Sequence, residues 1–146
     1  MGNLFGAFPS LHPLVVHFPV VLLIAAPFLQ IGGLVSRKPD WLLAATLFLV
    51  VGIVCNLFAS YVFHAEPLNP TPEAKATFLR HEAFAAYTLW AALGALVFKL
   101  VNLFPRMRAK RVEVAALGAM LIAAALVAAT GHLGAELTHI FHVRAE

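Results

Sequence analysis

Seven histidines are the residues of this chain best suited to chemistry: His12, His17, His64, His81, His132, His139 and His142. Imidazole ligates iron, copper, zinc and nickel, and it carries protons near neutral pH. The spacings restrict the choice. His132 and His139 are seven residues apart; on a helix they share a face but stand about 10.5 Å apart along the axis. They cannot both bind one small ion. His12 and His17 are five apart, which is about 140° round an ideal helix and about 7.5 Å along it. No H-x-x-x-H pair with a nearby carboxylate is present, which argues against a zinc-protease-like site. No Ser-His-Asp set, phosphate loop or pair of catalytic carboxylates can be assigned. The single cysteine, Cys55, cannot form an internal disulfide, and no C-x-x-C-H offers covalent haem attachment. A cofactor larger than an ion fits the spacings better. Haem b is flat and apolar, and it takes axial histidines from facing helices.

The elements that must hold these histidines are membrane helices. Of the 146 residues 62% are hydrophobic and 12% charged, and the mean hydropathy is +0.89; a soluble globular domain is excluded at the level of composition. Four apolar runs stand out: Leu14 to Val35, Trp41 to Phe63, Ala83 to Phe104 and Val114 to Ala135. Each is long enough to span, since a transmembrane helix needs about 20 mainly apolar residues. Continuous Ala/Leu-rich runs are not the alternation of barrel strands. The sequence therefore predicts an all-α fold: an integral membrane antiparallel four-helix bundle, a single membrane domain over residues 1–146. Its helices run over about 12–35, 41–64, 72–104 and 112–142. Thr71 followed by Pro72 reads as the N-cap and first position of helix 3. Pro19 either sits in the first turn of helix 1 or kinks it. The first run lacks a basic flank and is longer than a signal-peptide core, so helix 1 is expected to be retained.

Arg37 and Lys38 fall between helices 1 and 2, and Arg106, Arg108, Lys110 and Arg111 between helices 3 and 4. The positive-inside rule makes that side cytoplasmic and both termini external, the N-out/C-out arrangement of a bacterial inner (cytoplasmic) membrane protein. Lys99 is expected to snorkel towards the cytoplasmic interface. The formal charge of +3 gives no nucleic-acid signal, because the basic residues sit in short loops beside spans; the surroundings are membrane lipids. On this topology all seven histidines gather at the periplasmic side, at least one from every helix. A lone interfacial histidine is an amphipathic residue at headgroup level. A set drawn from four helices reads as a site, because ionisable groups at membrane depth tend to face the bundle interior and to carry function.

We rank His17 and His132 first as axial ligands, then His81, with His12, His139 and His64 behind. Arg80, with Lys75 and Arg144, offers charge for the propionates. Gly131 and Gly134, with Ala135, give a thin wall for a ring to lie against, unless they only serve packing. Glu82 and Glu136 either orient an imidazole N–H or are solvated carboxylates. Phe8, Phe18, Phe63, Phe78, Phe84, Tyr61, Tyr87 and Trp90 read as packing and belt residues, and Asn56 as an interhelical hydrogen-bond partner.

The stretches "LHPLVVHFPVVLL" and "TGHLGAELTH" resemble a family of small bacterial four-helix membrane proteins filed only as a domain of unknown function, number two-two-three-one. His12, Pro13, His17, Phe18 and Pro19 match its opening H-P-x-x-x-H-F-P motif. Thr130, Gly131, His132, Gly134, Leu137, Thr138 and His139 match its T-G-H-x-G-G-x-L-T-H-like closing stretch, with Ala135 in place of the second glycine of the pair. The family resembles membrane-bound b-type cytochromes in layout, and that likeness implies haem.

The function expected is a haem b cytochrome with one haem, or two, passing electrons at the periplasmic side. With no histidine near the cytoplasmic side, either the electrons stay external or another subunit completes the path. Partners would be other membrane or periplasmic redox subunits, or quinone, in a larger respiratory complex rather than a stand-alone enzyme. Two other classes stay open: a non-haem copper, zinc or iron membrane protein, and a cofactor-free structural membrane subunit.

Overall fold

A computed structural model describes the backbone of residues 12–62, 69–104, 106–107 and 109–141, with side chains from residue 15 on. It consists of α1 (His12–Ser36), α2 (Pro39–Tyr61), α3 (Pro72–Val101) and α4 (Lys110–His139). All four are long and apolar enough to cross a membrane, and no strand occurs among the described residues. Successive helices run antiparallel. The starts of α1 and α3 and the ends of α2 and α4 therefore share one end of the bundle, here the histidine end; the 1–2 and 3–4 turns share the other, the turn end.

Local chemistry sets the boundaries. Thr71 is extended and its hydroxyl accepts from Ala74 N at 3.2 Å, with Pro72 opening α3, as its sequence predicts. Pro39 opens α2 behind an extended Lys38. Arg37 makes the turn at φ 55, a left-handed conformation that glycine usually supplies. Pro19 and Pro27 both lie inside α1, which runs on through them. Each prolyl nitrogen lacks a proton, so each leaves one α1 carbonyl without its usual partner. Several boundaries differ from expectation, with α2 and α4 also starting two residues early, at Pro39 and Lys110. α2 closes at Tyr61, α3 at Val101 and α4 at His139, so Asn102 lies beyond α3 rather than inside it. There its Oδ1 accepts from Ala109 N at 2.9 Å, ordering the tight 3–4 turn.

Packing follows the small residues. The core joins Leu23, Leu49, Ile53, Met120 and Val127 with Ala26, Ala92, Ala95 and Ala123. Alanines at the crossings let backbones approach, the main source of contact where lipid removes the hydrophobic drive between helices. At Gly52 a Cβ would meet Leu23 Cδ2 at 2.8 Å, so α1 and α2 approach there only because that atom is missing. Outward faces carry Phe28 and Trp90, 67% and 71% exposed; an apolar coat of this kind suits lipid rather than water. The α1–α2 and α3–α4 hairpins are each tightly packed. They meet chiefly along α1 and α4, while α2 and α3 touch far less. α1 stands diagonally across the bundle from α3.

The turn end corrects one expectation. Lys99 does not snorkel outwards; it is 7% exposed and turned into the bundle. Its Nζ lies 2.8 Å from Glu113 Oε2 and 3.2 Å from Gln30 Oε1. Gln30 Nε2 and Asn102 Nδ2 donate to the two oxygens of the same carboxylate. Burying an ammonium is unfavourable unless it is paired and hydrogen-bonded. Glu113, in the first turn of α4, supplies that pairing at a depth where water would otherwise be needed.

Candidate functional site

At the histidine end the four helices line a half-open cavity of about 510 Å³, within the range of roughly 300–1,000 Å³ typical of small-molecule and cofactor sites. Val16, His17, Pro19 and Val20 contribute from α1, and Asn56, Ala59, Ser60 and Tyr61 from α2. From α3 come Phe78, His81, Glu82, Ala85, Ala86 and Leu89; from α4 come Val127, Thr130, Gly131, Gly134, Ala135, Thr138 and His139. Depth divides these groups. Val127 and Leu89 form the apolar inner part. Tyr61 and His139 end their helices and form the rim.

His81 is the best-defined histidine. It is half-buried, and its Nδ1 lies 3.0 Å from the carbonyl of Thr130. A carbonyl only accepts, so Nδ1 carries the proton and donates, and in the neutral ring the lone pair is on Nε2. A backbone carbonyl on one nitrogen is the usual way a protein fixes the tautomer and tilt of a ligating imidazole. Gly134 makes room for this ring: a Cβ there would stand 3.3 Å from His81 Cε1 and 3.5 Å from Nδ1. At Gly131 an added Cβ would approach nothing closer than Val20 Cγ2 at 4.0 Å. Gly134 thus seats a histidine, while Gly131 keeps the wall of the cavity thin.

Contacts also set relative heights. The His81–Thr130 hydrogen bond puts those two residues level, and Val20 is level with Gly131. His17 is three residues before Val20, about 4.5 Å nearer the rim. His17, which is exposed, and His81, which is half-buried, therefore line one cavity from diagonal helices, with His17 about 6 Å nearer the rim. His139 is eight residues past Gly131, about 12 Å nearer the rim.

The structure does not bring every sequence candidate to the cavity. His132 is exposed and outside the lining, although His139 seven residues on belongs to it. Arg80 is exposed and also outside the lining. His12 begins α1, but its side chain is not among those described, and His64 lies outside the described residues, as do His142 and Arg144. Glu82 lines the cavity and Glu136 does not. Among the candidate aromatics, Tyr61 and Phe78 are part of the wall, whereas Phe84 and Tyr87 pack edge to face, centroids 6.3 Å apart, outside it. Among the described residues no group of three or more His, Cys, Asp or Glu side chains is placed to hold a metal ion.

Two roles escaped the sequence reading. Thr130 acts through its carbonyl, which no residue type announces. Asn56, read as an interhelical hydrogen-bond partner, is instead 7% exposed, lines the cavity and has no partner for its Nδ2.

Comparison with known proteins adds one match. A family model described as "Predicted membrane protein (DUF2231)" covers residues 9–146. No curated protein and no solved structure matches the chain.

Proposed function

The chain belongs to the DUF2231 family of membrane proteins, and from that premise we propose that it is a haem b-binding cytochrome. The observation that carries this reading is a single one. His17 and His81, on diagonal helices, line one cavity, and His81 is already held by the Thr130 carbonyl. A flat ring between them would have its broad faces towards α1 and α3. Its edges would meet the small residues Gly131 and Ala135 of α4 and Ala59 and Ser60 of α2. Those residues fit the group: two imidazoles on opposite sides, thin walls, an apolar interior and a wetter rim. When bound, the iron would supply one-electron redox chemistry. The protein's part is to fix the ring, to set the imidazole basicity through Thr130, and to exclude water with Val127 and Leu89.

With the basic turns facing the cytoplasm, the site lies on the periplasmic side of a bacterial inner membrane. Electrons then pass to or from a periplasmic or membrane redox subunit, or a quinone, without crossing the whole bilayer in this chain. The test is direct. Protein expressed with a haem supply and purified in mild detergent should show a b-type spectrum on dithionite reduction, with the pyridine haemochrome giving haem per chain. A colourless preparation refutes the proposal. Elemental analysis of the same sample then separates a non-haem metal protein from a cofactor-free subunit.

A further inference from the structure

Asn56 is in the wrong place for a structural amide. It lies on α2 five residues before the helix ends, one turn below Ser60 on the same face. Its side chain is part of the cavity wall, it is 7% exposed, and Nδ2 has no hydrogen-bond partner. Leaving a buried amide donor unmade costs about 1–3 kcal/mol. An apolar residue of similar size would avoid that cost if packing were the only requirement. The χ2 torsion of asparagine is broad, so the amide can swing towards whatever fills the cavity. What Nδ2 lacks is an acceptor.

We infer that Asn56 donates its Nδ2–H to an oxygen acceptor on the ring bound in this cavity. On the haem reading, on which this assignment rests, that acceptor is a propionate carboxylate. Asn56 then fixes which edge of the ring faces α2, and Ser60, one turn nearer the rim, continues the polar track along which the carboxylate reaches water. A hydrogen bond to a carboxylate is roughly twice as strong as one between neutral groups, so the amide discriminates between a free acid and an ester at this position.

The experiment titrates haem-free protein in detergent with iron protoporphyrin IX and, separately, with its dimethyl ester. Wild type and Asn56→Leu are compared by visible absorption. Asn56→Leu should weaken protoporphyrin binding roughly tenfold or more, yet change binding of the ester less than about threefold. The haem-free Asn56→Leu protein should melt at the same temperature as wild type or higher, because an unpaired buried donor has gone. Equal protoporphyrin affinity in wild type and Asn56→Leu overturns the assignment and leaves the haem reading standing. Failure of wild type to take up either porphyrin overturns both.

Discussion

Glu113 at the turn end gives the sharpest stability prediction. Its carboxylate accepts from Lys99, Gln30 and Asn102, which joins α1, the end of α3 and the start of α4. Removing it with Glu113→Leu leaves the Lys99 ammonium, 7% exposed, with only Gln30 Oε1 at 3.2 Å. Breaking a buried pair by deleting one partner typically costs about 3–5 kcal/mol, because a charge stays buried without compensation. Ordinary hydrogen bonds between membrane helices average only about 0.6 kcal/mol. The two accounts of this network therefore differ several-fold. The expected loss for Glu113→Leu is about 3 kcal/mol or more, measured by reversible unfolding in mixed micelles. The pair Glu113→Leu with Lys99→Met removes both charges and should recover most of that loss, since buried pairs replaced by packed apolar residues are often neutral or better. The coupling energy of the double-mutant cycle is the deciding number. A single-variant loss below about 1 kcal/mol, or a double variant no better than Glu113→Leu alone, would refute the claim that Lys99 is charged and dependent on Glu113.

Further predictions concern the site and the helix contacts. His17→Ala and His81→Ala should each abolish the b-type spectrum, whereas His132→Ala, exposed and outside the cavity, should keep it; a spectrum lost only in the His132 variant would reverse the ligand choice. Gly134→Ala presses a methyl 3.3 Å from the His81 ring and should shift the haem midpoint potential or weaken uptake. Gly131→Ala, with no protein atom nearer than 4.0 Å, should leave stability unchanged but weaken haem uptake, because its methyl thickens the wall that the ring would meet. Thr71→Ala removes the α3 cap and should cost about 1 kcal/mol in the same unfolding assay. Gly52→Val forces atoms into Leu23, a fully buried side chain, and should cost about 1–3 kcal/mol by overpacking.

The helices were legible because a run of some twenty apolar residues has few other fates, and because Thr71-Pro72 writes its own cap. The gathering of histidines at one end was legible for the same reason: antiparallel order converts chain position into height. Azimuth was not. His132 and His139 nearly share a helix face, yet only the one at the rim belongs to the cavity wall, because tilt and crossing angles decide which side of a helix a cavity touches. The Lys99–Glu113 pair was hidden in a different way. Snorkelling and inward pairing place a lysine at the same sequence position, and only the partner's arrival from α4 selects between them. Thr130 was legible only as a residue of the closing stretch, and its role was not, since its contribution is a carbonyl that every residue owns. Asn56 was visible as a polar residue in an apolar run, but its lack of a partner is a property of the assembled bundle.

The weak seam between α2 and α3 bears on biogenesis. Two closely packed hairpins can each enter the bilayer as a unit and then lie together like the covers of a book, with α1 and α4 as the spine. The fore-edge is α2 against α3, tied covalently only by the segment between Tyr61 and Pro72. A flat guest admitted through that edge would part no tightly packed pair of helices. On the haem reading, insertion of the polypeptide and delivery of the ring would then be separable events.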